Sequence, residues 1–244
     1  MLRTLSLLIA FTLILAGCNS AGTQAPTADA NQILRDAVVK IRGAQSFRML
    51  VEQVGADFVF SLVMDASGTA ATAVMERAEA QFVPPDEVFA KVKLTIGILT
   101  TDVEIYAKDE DQWLRIAPAP WLHIAFAEGF NPGDLVAEGS GFDKALSALQ
   151  ELNYVGEESL VDGTPTYHVT GRAGGEIVKD LLVGLVETAK DVKVDAYIHR
   201  ETGYPALVVV TIPNSGTESQ PEDTAWRVEL YDFDAAVDFQ APQG

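Results

Sequence analysis

Apolar and polar residues recur along this chain with two different periods. From Ala28 to Ala44 the apolar positions Ile33, Leu34, Ala37, Val38 and Ile41 return every three or four residues, opposite Arg35, Asp36, Lys40 and Arg42. That spacing predicts an amphipathic helix, with Asp29 or Thr27 as its N-cap and Gly43 at its end. The period then drops to two. The runs "SFRMLVEQV", "DFVFSLVMDA" and "ATAVMERAEAQFV" are β-rich and broken by Gly55 and by "DASGT", so they predict strands joined by turns. In "EVFAKVKLTIGIL" the positions Val88, Ala90, Val92, Leu94, Ile96 and Ile98 share one face, with Lys91, Lys93 and Thr95 on the other. The next run, "DVEIYAKDEDQWLRIA", predicts a hairpin that turns at "KDED".

Periodicity fades over 117–140, a long connection with three prolines of the kind that carries function or motion in compact domains. Phe142–Glu151 then fits a short helix, and "NYVGEESLVDGTPTYHVTGRA" fits two strands around "VDGTP". Glu176–Ala189 predicts a helix with a wide apolar side, and "KVDAYIHRE", "YPALVVVTIP" and "AWRVELYDFD" predict three final strands. The sum is about ten strands and three helices with no βαβ rhythm. This predicts an α+β fold: a single curved antiparallel sheet, a half-barrel, with helices covering its concave side. No linker interrupts the chain after residue 28, so 29–244 reads as one domain. Two runs, "DFVFSLVMD" and "YPALVVVTI", are apolar on both faces. Either helices cover one face and a partner or loop the other, or the strands wall a cavity; periodicity does not distinguish a filled core from a lipid-lined hollow.

The N-terminus follows another logic. Arg3, the apolar run Leu5–Leu15 and the small residues Ala16 and Gly17 have the layout of a secretory signal, too short to cross a bilayer as a helix. An ordinary signal peptide would leave Cys18 incidental. The order Leu15-Ala16-Gly17-Cys18 instead resembles the bacterial lipobox, in which the thiol takes a diacylglyceryl group and cleavage falls just before it. The expectation is a lipoprotein signal peptide over 1–17, a membrane anchor on Cys18 and a flexible, small-residue tether over 18–28.

Composition narrows the chemistry. The net charge is -18, from 17 Lys and Arg against 35 Asp and Glu, and no basic cluster offers a footprint for nucleic acid. One cysteine excludes an internal disulfide, a redox CxxC pair and a cysteine-rich zinc site. His123, His168 and His199 lack metal-ligand spacing and read as structural or surface groups. No GxSxG elbow accompanies them, and Gly139-Ser140-Gly141 lacks the lysine of a phosphate loop. Asp109-Glu110-Asp111 reads as a solvated turn because the spaced pattern of a calcium loop is missing. The expectation is a protein without catalytic residues, metal or cofactor.

The succession of lipobox, N-terminal helix, "GTAATAVMERAEAQFVPPDEVFAKVKLTIGILTTDVEIYAKDEDQWLRI", "YVGEESLVDGTPTYHVTG", "ETGYPALVVV" and "DTAWRVELYDFD" resembles the LppX/LprAFG lipoproteins over roughly 30–240. The resemblance implies the fold of the carriers LolA and LolB, a half-open antiparallel barrel whose helix-covered mouth encloses an apolar cavity for acyl chains. It also implies a carrier that moves lipids within the cell envelope, extracytoplasmic and membrane-bound, with a transporter as the partner that loads or unloads it. The residues expected to line such a cavity are Phe60, Leu62, Val92, Leu94, Ile96, Val208 and Val210 on strands, with Ile177, Leu181 and Leu185 as a lid. The alternative is a non-catalytic scaffold or sensor that acts through protein contacts of the 117–140 loop.

Overall fold

The computed structural model describes residues 29–63, 70–125, 131–181 and 188–242. Helix α1 (Ala30–Arg42) forms where the three-to-four spacing places it, and the Asp29 side chain caps it by accepting from the Asn31 N–H at 2.9 Å. Lys40 and Arg42 occupy its last turn, where cations complement the helix dipole. Its apolar stripe, Leu34, Ala37, Val38 and Ile41, is buried.

The described residues contain twelve strands: β1 (Phe47–Val54), β2 (Val59–Val63), β3 (Ala70–Val83), β4 (Glu87–Ile96), β5 (Leu99–Lys108), β6 (Asp111–Arg115), β7 (Leu122–His123), β8 (Gln150–Ser159), β9 (Pro165–Ala173), β10 (Val192–His199), β11 (Pro205–Thr211) and β12 (Ala225–Tyr231). They form one antiparallel sheet in the order β7-β6-β5-β4-β3-β1-β12-β11-β10-β9-β8, with β2 added to β3. The N-terminal strand β1 thus lies between β3 and the C-terminal β12 in the middle of an open, curved sheet. Two short strands, β2 and β7, flank turns and loops.

Three boundaries differ from the pattern's prediction, each for a local reason. The run "EVFAKVKLTIGIL" is two strands and not one. Gly97 takes φ 63°, so Ile96 pairs with Leu99 across a two-residue turn and Ile98 leaves the strand face for its tip. Helix α2 (Gly141–Ser147) stops short of Glu151, whose φ of 52° no helix can hold, and Gln150 already pairs with Arg172 in β8. Helix α3 (Glu176–Leu181) does not reach Ala189. Residue 188 has come back beside the start of α3, where a Cβ at Gly175 would lie 2.0 Å from the Thr188 carbonyl oxygen.

The helices share one side of the sheet. α1 packs against β8, β10 and β11 and against α2, which packs in turn on α3. Phe142 of α2 meets Phe47 of β1 edge-on, with ring centroids 6.4 Å apart, and Phe47 also packs on Phe82 of β3 at 5.0 Å. Residues directly opposite each other in an antiparallel pair face the same way. One helix-facing row therefore runs through nine strands as Val103, Val92, Ala78, Val51, Val228, Val208, Ala196, Val169 and Tyr154. No charged residue interrupts it.

Candidate functional site

The helix-facing interior gathers five of the expected cavity residues into one apolar cluster. Val92 and Val208 lie in the nine-strand row, and Leu94 and Val210 stand two residues further along the same strands. All four are nearly inaccessible to solvent, as is Ile177 on α3. Phe60 and Ile96 are only half-buried and sit where this interior runs out, in the row Phe60, Ala73, Ile96, Leu99 at one end of the sheet. Leu62 and Leu181 fall on β2 and α3 with side chains outside the described residues. Leu185, Cys18, the leader and the tether also lie outside them.

Two polar groups are embedded in this apolar side. Trp226 is fully buried on β12, its ring 5.1 Å from that of Phe58, and its indole Nε1 has no hydrogen-bond partner. Directly opposite on β1 stands Gln53, whose Oε1 is likewise unpartnered while its Nε2 donates to the Ala56 carbonyl at 3.2 Å. A buried donor or acceptor left unpaired costs about 1–3 kcal/mol, so the interior retains hydrogen-bonding capacity that its own atoms do not use.

The opposite face is built differently. Moving one residue along most strands gives the row Arg115, Glu104, Lys91, Glu79, Leu50, Glu229, Leu207, Tyr197 and His168. Its first half is a ladder of alternating charge, with Glu104 between the Arg115 guanidinium and the Lys91 ammonium. Its second half turns apolar and aromatic beneath a groove of about 1010 Å³ whose walls include Leu50, Tyr197, Tyr204, Leu207 and Tyr231. Burial pushes the Tyr197, Tyr204 and Tyr231 hydroxyls above the ordinary tyrosine range. Beside the groove, the buried His168 ring stacks on Tyr197 at 4.3 Å, with its two nitrogens 3.0 Å from carboxylates of Glu158 and Asp195. This arrangement answers why "YPALVVVTI" is apolar on both faces: Val208 and Val210 meet the helices, and Leu207 meets the aromatic groove. Sequence reasoning missed the groove because its tyrosines come from two separate strands, β10 and β12, and the turn between β10 and β11. The two-sided apolar pattern of β11 was the available signal.

A second groove, about 580 Å³, lies on the same outer face under the C-terminal segment. There Phe239 stacks on Phe89 at 5.7 Å, the Asp238 N–H donates to Gln81, and Arg115 lies over the Trp121 ring at 4.5 Å. His123 contacts Asp111 at 3.0 Å and Trp113, on the exposed loop side of β6. Among the described residues no cluster of three or more His, Cys, Asp or Glu is arranged to hold a metal. No helix among them is long and apolar enough to cross a membrane.

Against this geometry the sequence profile of the LppX_LprAFG lipoproteins matches residues 29–239. The chain belongs to the LppX_LprAFG lipoprotein family. Solved structures agree on the fold. LprF from Mycobacterium bovis superimposes with a TM-score of 0.66 at 16% identity, covering 88% of this chain and 97% of that one. Lipoprotein LppX from Mycobacterium tuberculosis gives 0.56 at 15% identity, covering 86% and 97%. Among curated protein sequences none matches. At family level the chain is therefore a lipid-binding lipoprotein built on one open antiparallel sheet.

Proposed function

We propose that this chain is an extracytoplasmic lipoprotein, anchored to the bacterial membrane through a diacylglyceryl group on Cys18, that shelters acyl chains against the helix-facing side of its sheet and carries lipids within the envelope. The observation that supports this most is the uncharged nine-strand row with its helix layer. In a chain of net charge -18, an apolar surface of that breadth is what acyl chains require. Burying methylenes stabilises a complex by about 0.8 kcal/mol each, so a dozen buried carbons suffice for useful affinity. Room is made by the short helices α2 and α3 moving off the sheet, with Ile177, Leu181 and Leu185 as the lid. The lining is then Phe60, Leu62, Val92, Leu94, Ile96, Val208 and Val210, with the unpaired Trp226 Nε1 and Gln53 Oε1 at hand for an ester or hydroxyl.

Titration of the mature protein with a fluorescent fatty acid tests this reading. The wild type takes up the probe, and Ile96→Trp or Leu181→Trp weakens uptake without lowering the unfolding midpoint. Exclusion of the probe, or a Trp substitution that leaves uptake unchanged while costing about 1–3 kcal/mol of stability through overpacking, contradicts it.

A further inference from the structure

The β4–β5 tip exposes two large apolar side chains in succession. Ile98 is 105% and Leu99 65% exposed, and Gly97 supplies the positive φ that thrusts both outward with open space around the turn. Val59 on the neighbouring β2 adds a further exposed apolar side chain at the same end of the sheet. Three facts say what medium this tip meets. First, from Leu94 to Thr101 the chain carries no charge, although 35 of its residues are acidic. The Glu76 carboxylate beside the tip accepts from the Thr95 hydroxyl at 2.7 Å and lies 4.0 Å from the Lys93 ammonium. An anionic bilayer surface repels the rest of this chain less at this tip than elsewhere. Second, two side chains on a protruding turn offer no concave or flat surface for a protein partner, whereas fluid acyl chains close around a protrusion of any shape. Third, the tip is continuous with the interior: Leu99 is exposed, Ile96 and Phe60 are half-buried, and Ala73 between them is buried, all in one registered row facing the helix side.

We infer that Ile98 and Leu99 dip into the bilayer, setting the Phe60, Ala73, Ile96, Leu99 row against the membrane as the path by which acyl chains enter and leave. The bilayer contact stands by itself; the path rests on the carrier reading above. The other end of the sheet makes a natural control. There Val161 is 106% exposed on the β8–β9 turn, but it is followed by Asp162 and lies close to Glu158. Its carboxylates disfavour an anionic surface.

The full lipidated protein carries no other thiol once Cys18 is acylated, so Ile98→Cys and Val161→Cys each accept a single NBD label. In vesicles of phosphatidylethanolamine with a minority of phosphatidylglycerol, the label at 98 shifts to the blue and is quenched by spin-labelled lipid, and the label at 161 keeps its aqueous emission. Equal emission and equal quenching at the two sites overturn the inference. In a second arm, Ile98→Asp, at the tip and outside the row that forms the path, lowers vesicle-to-vesicle transfer of a fluorescent fatty acid by at least about tenfold while loading of the same probe from solution stays within about twofold. Transfer unchanged by the substitution overturns the path. Failure of the carrier reading looks different, because then neither chain loads the probe, whatever the NBD label reports.

Discussion

The two faces of the same sheet are separated by one residue of register and by nearly all of their chemistry. On the helix side, nine strands contribute Val103, Val92, Ala78, Val51, Val228, Val208, Ala196, Val169 and Tyr154. One residue away along most strands, Lys91, Glu79 and Glu229 face water, with Glu104 more covered between Arg115 and Lys91, beside Leu50, Leu207 and Tyr197. A strand alternates with a period of two, so a slip of one position would place this charge ladder in the apolar interior. The register is therefore fixed by desolvation: the cost of burying the ladder is what holds the apolar row inward.

The comparison breaks most severely if a charge is placed in the inward row. Val208→Asp is expected to cost more than about 4 kcal/mol in urea unfolding, because a fully buried carboxylate there has no partner, whereas Lys91→Asn on the outer row changes stability by about 0.5 kcal/mol or less. Next is Phe47→Ala, which removes the ring joining β1 to Phe82, Phe142 and Phe233 and is expected to cost about 3–5 kcal/mol by the same measurement.

Tyr106 shows that the outer face has buried points of its own. Its hydroxyl donates to Glu87 at 2.6 Å, and burial first, then that carboxylate, push its pKa well above the usual tyrosine value. A raised folded-state value means the folded protein holds this proton more tightly than the unfolded chain does. The stability it contributes is whole below about pH 10 and is lost as the pH climbs through the folded value. Tyr106→Phe should flatten the decline of the unfolding free energy above about pH 10 and lower stability by about 1 kcal/mol at neutral pH. The smallest effect belongs to the exposed part of the ladder: Glu79→Gln, whose partner Arg77 lies 2.9 Å away, should cost less than about 1 kcal/mol, and less again in high salt.

Much of this was legible in the chain. Strands announce themselves wherever one face is wet and the other dry, as in Val103, Ile105 and Ala107 against Asp102, Glu104 and Lys108, and α1 does so through its stripe and its Asp29 cap. The order of the pieces carried the family. What was hidden is tertiary. Gly97 inside an unbroken apolar alternation marks a turn only once Leu99 is seen paired with Ile96. The length of α2 was overread because Glu151 is a good helix former, and its positive φ comes from the start of β8. Of the residues expected to line a cavity, Val92, Leu94, Val208 and Val210 were legible as one side of the sheet, but a volume between them was not. Hydrophobic periodicity records which residues leave water and not whether they meet each other or a guest.

Native mass spectrometry of the mature protein, purified from a lipid-producing host, tests the central claim most directly. The account predicts a chain carrying, beyond the mass of its Cys18 anchor, a noncovalent acyl-bearing lipid released by collisional activation. A single ligand-free species that stays ligand-free after incubation with fatty acid or phospholipid would contradict it.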